Sequence, residues 1–260
     1  MFSTLDSLLD SYVLSRELAP ETVKYYRRCL SVYRRWSGSN DVDLFTVESC
    51  SRFLLTMQER GYDWPYRKSL RAGLRALLGH AGRAGKLRPV RVRPLEPESW
   101  TAAEIVLLIA AAPDEWWRTL IEAAWWTGLN QCDLERIERR HFAVGGVLKW
   151  NRQKTGRPVI VAVPADLLRR LPESGPCWPR RFSREYFRRT FRKIVARAGL
   201  RGTFKKLRKS SGTSVESLHP GCGHIHLGNT RRVFELHYLD LEKGVKPTPP
   251  AMLNTRPPGE

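Results

Sequence analysis

Apolar residues recur at intervals of three and four through the first third of the chain, which is the spacing of one helix face. The first such set comprises Leu5, Leu8, Leu9, Tyr12 and Val13. Pro20 stands where proline is favoured, in the first turn of a second predicted helix. The same periodicity predicts a third helix over 46–60 and a fourth over 66–84. Residues 1–88 are therefore predicted to form a small bundle of four helices with one basic side.

A proline-rich stretch, KLRPVRVRPLEPES, interrupts this pattern. Proline removes a backbone donor and is excluded from a helix interior, so residues 89–99 are predicted to form an extended linker between two domains. Beyond the linker, Thr101 and Glu104 have the spacing of a helix-capping box ahead of an apolar run. Further helices are predicted over 116–126 and 133–139.

The hydrophobic period then changes to two over 147–150 and 158–163, which predicts two strands joined by a hairpin turn. After the strands the pattern is helical again. The expected fold class is mainly α with a small antiparallel β-sheet, an α+β arrangement. The second domain is predicted to span 100–242, and a proline-rich tail over 243–260 is predicted to be disordered.

The charge of the chain indicates its function more than its fold. The chain carries 45 Lys+Arg and 26 Asp+Glu, a net charge of +19, and its pI is about 10.3. Arginine accounts for 34 of the basic residues; it suits phosphate recognition, although a GC-rich genome would favour it as well. Between residues 180 and 209 there are 13 Lys or Arg and one acid, Glu185. A solvated face usually mixes both signs, so this segment predicts a surface that contacts phosphates.

Several classes of protein are excluded by the sequence. No apolar run reaches the roughly 18 residues that a membrane span needs, and the first residues lack the basic start of a secretory signal. The five cysteines form no C-x-x-C pair, which argues against a disulfide framework and against a zinc site, and fits a reducing cytoplasm. In the segment HPGCGHIH, His219, Cys222, His224 and His226 cluster, but glycine and proline favour a plain loop over a metal site.

Four local patterns follow one another in a specific order: TGLNQCDLERI, QKTGRPVIVAVP, KKLRKSSGT and LGNTRRVFELHYLD. In this order the chain resembles the tyrosine recombinase/integrase family. The resemblance covers nearly the whole chain, because APETVKYYRRCLSVYRRW looks like part of the family's helical (SAM-like) core-binding domain, which binds DNA, and SWTAAEIVLLIAAA like the start of its catalytic domain. Each pattern alone would be weak evidence; their order and spacing make the resemblance specific.

The resemblance implies DNA recombination or integration, as in a mobile element, by cutting and rejoining strands. A tyrosine attacks a phosphodiester and leaves a 3′-phosphotyrosine, two arginines hold the non-bridging oxygens, and a lysine on the β-hairpin protonates the departing 5′ oxygen. No metal and no small-molecule cofactor are implied. The implied partners are double-stranded DNA and further copies of the chain, as a dimer or tetramer on DNA. The implied location is the cytoplasm, in association with the nucleoid.

Three family positions are matched. Tyr238 corresponds to the nucleophile, Arg208 to the second arginine that holds the phosphate in the transition state, and Lys154 to the general acid. Each has a plainer alternative: a tyrosine packed in the core, a further phosphate contact in a basic run, and an exposed turn lysine.

Three positions depart from the pattern. Asn130 replaces the first arginine, Lys205 replaces a histidine, and Asn229 replaces a later histidine or tryptophan. Asn130 is neutral and lacks the charged fork of arginine, so we expect impaired chemistry; the alternative is an inactive, integrase-derived DNA-binding module. Arg136 or Arg139 could substitute for the missing guanidinium. His224 and His226 could replace the imidazole lost at Asn229, but both lie too far from Tyr238 for the usual spacing.

The same resemblance makes basic side chains of both domains candidate DNA contacts. They are Lys24, Arg27, Lys68, Arg71, Arg75, Arg181, Arg184, Arg188, Arg192, Lys206 and Lys209.

Overall fold

A computed structural model describes residues 2–83, 85–93, 96–180 and 182–244, with only the backbone described for residues 242 and 244. Arg181 and the greater part of the predicted tail, residues 245–260, lie outside the described residues. The chain divides into two compact units, Met1–Pro94 and Leu95–Glu260. This division falls inside the segment 89–99 that the sequence predicts to be a linker.

The first unit consists of four helices around one apolar core. Their bounds are α1 (Leu5–Leu14), α2 (Pro20–Ser37), α3 (Val47–Glu59) and α4 (Trp64–His80). Side-chain caps begin three of them, since Thr4, Thr46 and Asp63 each accept a hydrogen bond from a backbone N–H of the first turn. The buried aromatic rings of Tyr33 and Phe53 lie at the centre of the core, 5.6 Å apart.

The second unit contains nine helices and three strands among the described residues. Its elements are α5 (Ala102–Ala110), α6 (Glu115–Thr127), α7 (Gln131–Leu134), a 3₁₀ turn (Arg139–His141), β1 (Phe142–Ala143), β2 (Val147–Asn151), β3 (Pro158–Ala162), α8 (Ala165–Arg169), α9 (Arg184–Arg197), α10 (Lys205–Leu218), α11 (Gly223–His226), α12 (Arg231–His237) and α13 (Leu241–Gly244). The expected class, mainly α with a small antiparallel sheet, is confirmed. No described helix is long and apolar enough to cross a lipid bilayer.

The sheet is antiparallel in the order β1-β2-β3, and β2 pairs Leu148 with Val161 and Trp150 with Val159. Leu148, Val159 and Val161 face the core.

The predicted helix over 133–139 is wrong, because α7 ends at Leu134. The backbone beyond it pairs elsewhere, since the Ile137 carbonyl accepts from the Cys177 N–H at 2.9 Å and Glu138 forms a β-bridge with Pro176. The buried Asp133 carboxylate accepts hydrogen bonds from the Trp150 indole (3.2 Å) and the Gln153 backbone N–H (3.1 Å), which joins α7 to the end of β2.

Hydrogen bonds join the last described residues of the second unit to residues near its beginning, through a group that we call the Asp240 clasp, formed by Ser99, Asp240 and Lys243. The buried Asp240 carboxylate accepts from both the backbone N–H and the hydroxyl of Ser99 at 2.8 Å. The Lys243 ammonium donates to the Ser99 carbonyl at 2.7 Å. Helix α13 packs against α10 beside this clasp, so the residues just before it are held from both sides.

Candidate active site

Arg208 lies at the centre of the candidate site, in the first turns of α10, with only 1% of its surface exposed. Its guanidinium donates to the Gly128 carbonyl, to the Leu227 carbonyl at 2.7 Å and to the Asn229 side-chain oxygen at 3.3 Å. Burial, followed by the charge of nearby Arg152, lowers the pKa of Arg208 to about 10. The group therefore keeps its charge at neutral pH.

Gly128 explains the Thr-Gly pair at the end of α6. Its φ of 60° is the left-handed conformation that ends the helix, and a Cβ at this position would collide with the Leu227 side chain. The turn aims the Gly128 carbonyl at Arg208. The TG motif thus positions the arginine, whatever residue stands at position 130.

Tyr238 follows directly on α12 and lies against Arg208. The Arg208 Cζ is 5.1 Å from the centre of the tyrosine ring. The half-buried ring packs against a small apolar cluster of Leu227, Phe234 and Leu239. The Thr213 hydroxyl donates to the Tyr238 carbonyl at 3.2 Å, which fixes the backbone on the other side.

Asn229 joins two guanidinium groups. Its side-chain oxygen accepts from Arg208 at 3.3 Å and from Arg152 at 2.9 Å. An amide oxygen has two lone pairs and can accept from both donors. The orientation of the amide follows from these partners, because its NH₂ group would repel both cations.

Arg152 is the functional candidate that the sequence did not predict. It follows the last residue of β2, is 5% exposed, and donates to the carbonyls of Leu227 and Gly228 at 3.3 Å. A signal for its burial was present, because Leu148, Trp150 and Arg152 share one face when the alternation of β2 is continued. An arginine at a strand end is ordinarily exposed, so the alternation alone does not identify Arg152 as buried.

Buried donor groups without a hydrogen-bond partner in the described part of the chain cluster around Arg152, Arg208 and Asn229. Six buried side-chain polar atoms have no hydrogen-bond partner among the described residues, and three of them belong to this group: Arg152 Nε, Arg208 Nε and Asn229 Nδ2. Native structures rarely leave buried donors unpaired. Two cations and one amide with free N–H groups form an arrangement suited to an oxyanion.

The remaining predicted catalytic residues are Lys154, Lys205 and Asn130. Lys154 is exposed at the tip of the hairpin, and Lys205 is exposed at the start of α10. Asn130 caps α7 through its backbone, without a side-chain cap. Among the described residues, no hydrogen bond joins these three side chains to Arg208, Tyr238 or Asn229. The structure therefore brings together only half of the predicted set.

Neither suggested substitute for the first arginine reaches the group. The Arg139 guanidinium donates to the Leu168 carbonyl at 2.9 Å, and Arg136 is exposed on the surface.

The segment HPGCGHIH is not simply the loop that was predicted, because it contains α11. Two backbone N–H groups, of Gly221 and Gly223, donate to the Glu216 carboxylate at 2.8 Å and hold the segment against α10. Across the described ranges, no group of three His, Cys, Asp or Glu could hold a metal ion.

His226 lies behind Arg208, and its Nε2 is 2.7 Å from the Ser211 hydroxyl. Burial, followed by the Arg208 charge, lowers its pKa to about 4. In the unfolded chain the histidine pKa is near 6.5, so between about pH 4 and pH 6.5 the unfolded chain binds more protons than the folded one. The free energy of unfolding therefore decreases as the pH falls through this range.

We expect the free energy of unfolding of the native protein, relative to His226→Gln, to fall by about 2 kcal/mol between pH 7 and pH 5. Urea titrations of both proteins at the two pH values measure this difference. Glutamine does not titrate, so the variant removes the contributions of all other groups. A difference that is the same at both pH values would contradict the assigned burial of His226.

The predicted DNA contacts occupy different environments. On α9, Arg184, Arg188 and Arg192 are exposed, and Arg188 pairs with Glu185. On α10, Lys206 pairs with Glu98 at 3.2 Å, and burial lowers the pKa of Lys209.

In the first unit, Arg27, Lys68 and Arg75 are exposed. Lys24 is exposed as well and pairs with Glu21 at 3.0 Å. Arg71 donates to the Arg88 carbonyl at 2.8 Å and so also has a structural role.

Similar proteins were found by structure alone, since no family model and no curated sequence matches the chain. A lambda integrase dimer bound to a COC′ core site superposes with a TM-score of 0.75 at 21% identity, over 94% of this chain and 79% of that one. The Tn1549 transposon integrase, in complex with a circular intermediate DNA, gives 0.71 at 14% identity over 95% and 96%. The XerH recombinase bound to palindromic difH gives 0.61 at 13% over 80% and 73%. The chain therefore has the tyrosine recombinase fold.

Proposed function

We propose that this protein binds double-stranded DNA and cleaves and rejoins its strands through a covalent bond to Tyr238. The observation that carries the proposal is the contact between Tyr238 and the buried, charged Arg208, 5.1 Å from ring centre to Cζ. A tyrosine beside a preorganised guanidinium suits attack on a phosphodiester, because the guanidinium can stabilise the charge that develops on the non-bridging oxygens.

The proposed step conserves atoms and charge. The Tyr238 oxygen forms a bond to phosphorus while the bond from phosphorus to the 5′ oxygen breaks, which leaves a 3′-phosphotyrosine. The proton of the tyrosine hydroxyl goes to solvent, and Lys154 gives a proton to the departing 5′ oxygen and regains one from solvent. Attack of a 5′ hydroxyl on the phosphotyrosine reverses the step, so rejoining needs no external energy source.

Lys154 is exposed at the hairpin tip, so its role as general acid depends on where the hairpin lies when DNA is bound. The hairpin must bring its ammonium to the 5′ oxygen when DNA is bound. Lys205, exposed at the start of α10, would contact the phosphate from the helix that carries Arg208.

The rate of this step should be impaired. Asn130 brings no charge to the site, and Asn229 brings no imidazole; loss of one preorganised donor typically costs 10²–10³ in rate. This argument favours, as the second candidate, a module that binds DNA without cutting it.

Binding to DNA is supported by the fold and by the charge distribution. The similar lambda, Tn1549 and XerH proteins are described as bound to DNA, and lambda integrase also as a tetramer on a Holliday junction. We propose that the unit Met1–Pro94 is a core-binding domain, that the second unit is catalytic, and that copies assemble as dimers or tetramers on DNA. A nucleoid-associated role in the cytoplasm, within a mobile element, follows from this proposal.

The test begins by selecting a bound sequence from a pool of randomised duplexes. The selected duplex is then synthesised with a nick next to the cleavage position, so that a short 5′-OH fragment is lost and the covalent adduct accumulates. We expect an adduct that survives denaturation, and a DNA-linked peptide that contains Tyr238 by mass spectrometry. Binding without an adduct would favour the second candidate, and an absence of binding would contradict both.

Duplex affinity should depend strongly on salt, because basic side chains displace counterions from phosphates. With about four phosphate contacts, the affinity should fall roughly 100-fold between about 50 mM and 200 mM salt. Fluorescence anisotropy with a labelled duplex measures the slope of log affinity against log salt concentration. The double variant Arg188→Ala/Arg192→Ala should lower the number of phosphate contacts that this slope reports by about two. A flat dependence would contradict DNA binding by this surface.

A further inference from the structure

Two arginines of the second unit are buried side by side without a counterion. Arg152 is 5% exposed and Arg208 is 1% exposed, and both donate to the Leu227 carbonyl and to the Asn229 side-chain oxygen. None of the ion pairs among the described residues includes either of them. Burying two like charges is costly unless an opposite charge offsets it.

Among the described residues, Asp133 forms no ion pair with either arginine. Asp133 contributes only a small rise to the Arg208 pKa, after burial, Arg152 and Tyr238. One of its oxygens already accepts from the Trp150 indole and from the Gln153 backbone. The two arginines therefore have no counterion among the described residues, and a bound anion would supply one.

The free donors define what that anion must be. Arg152 Nε, Arg208 Nε and Asn229 Nδ2 are buried, and no described residue accepts from them. A phosphodiester has one negative charge spread over two non-bridging oxygens, which together offer several lone pairs. Guanidinium groups match that geometry well, and Tyr238 lies next to Arg208 where a bound phosphorus could be attacked.

Two backbone hydrogen bonds hold Arg152 in this position. Its N–H donates to the Arg157 carbonyl at 2.9 Å, and its carbonyl accepts from the Gly156 N–H at 2.7 Å, so Arg152 closes the hairpin turn. Lys154 follows two residues later on the same turn. One hairpin would thus carry both a phosphate-holding cation and the general acid.

We propose that Arg152 supplies the second guanidinium of the active site and, with Arg208, holds the scissile phosphate of DNA. Asn229 is a positioning residue in this arrangement, because its oxygen aligns both arginines and leaves its NH₂ for the phosphate. The arrangement offsets part of the loss at Asn130, since the charge enters from the β-hairpin instead of from the end of α6. This inference rests on the proposed function.

The test compares native protein, Arg152→Gln and Arg157→Gln in single-turnover adduct formation on the nicked duplex. Arg157 is an exposed arginine of the same turn and is the matched control. We expect Arg152→Gln to slow the reaction by about 10²-fold or more and Arg157→Gln to stay within a few-fold of native. A native rate for Arg152→Gln would overturn the inference. If that variant does not fold, Arg152→Lys replaces it, with at least a tenfold loss expected because an ammonium lacks the paired N–H groups.

A second measurement separates this inference from the proposed function. Thermal unfolding is followed in orthophosphate and in sodium chloride of equal ionic strength, without DNA. Orthophosphate should raise the melting temperature of native protein more than that of Arg152→Gln, because only the native pair binds the anion. If native protein forms no adduct but keeps this difference, the function fails and the anion site stands. Equal shifts in both proteins would overturn the site.

Discussion

Tyr238→Phe should form no covalent adduct with DNA, while its affinity for the uncleaved duplex stays within a few-fold of native. Phenylalanine lacks the oxygen that would bond to phosphorus, so no slower route remains through this residue. The ring can still pack against Leu227, Phe234 and Leu239 and still lie beneath Arg208, so the fold should be unchanged.

The matched control is Tyr186→Phe, because Tyr186 is an exposed tyrosine on α9. Both variants are incubated with the nicked duplex and resolved on a denaturing gel. An adduct that persists in Tyr238→Phe at the native level would assign the nucleophile to another residue. An adduct lost in both variants would point to a defect in binding or folding.

Arg208→Ala should lower the rate of adduct formation by about 10³-fold or more. The guanidinium lies 5.1 Å from the centre of the tyrosine ring, and removing a preorganised donor typically lowers the rate by about 10²–10³-fold. Arg208→Lys should also lose at least about 10²-fold, because one ammonium cannot donate in the directions of Gly128, Leu227 and Asn229 together.

Single-turnover rates measure both variants, with Arg118→Ala on α6 as the control for loss of a surface arginine. Thermal unfolding checks that each variant is folded. If Arg208→Ala does not fold, the rate of Arg208→Lys is used instead, because this variant keeps the buried charge. A rate within tenfold of native for both variants would show that Arg208 does not stabilise the transition state.

Periodicity was sufficient to predict most of the fold. The four helices of the first unit, α5, α6 and the β2–β3 hairpin follow from apolar spacing, caps and turn residues, all of which act over a few positions. Three elements that were missed, β1, α8 and α11, are two, five and four residues long, too short to show a hydrophobic period. The predicted helix over 133–139 failed for a different reason, because the backbone at Ile137 and Glu138 pairs with Cys177 and Pro176, which are distant in sequence.

The candidate site was predictable only where spacing is local. Asn229 and Tyr238 lie nine residues apart, on either side of α12, and this local spacing matches the family pattern. Arg152 meets Asn229 across 77 positions of sequence, so no local pattern could join them. The sequence showed the loss at Asn130, whereas only the folded chain shows a second buried guanidinium arriving from another element.

The Asp240 clasp has a consequence for how copies of the protein would cooperate. It begins two residues after Tyr238 and ties that segment to Ser99 of the same chain, while Thr213 on α10 holds the Tyr238 backbone. Each molecule would therefore attack with its own tyrosine, beside its own Arg208. Mixing Tyr238→Phe with Arg208→Ala should then restore no adduct beyond the sum of the two variants alone. Recovery of activity in the mixture would mean that the clasp opens and the nucleophile is exchanged between subunits.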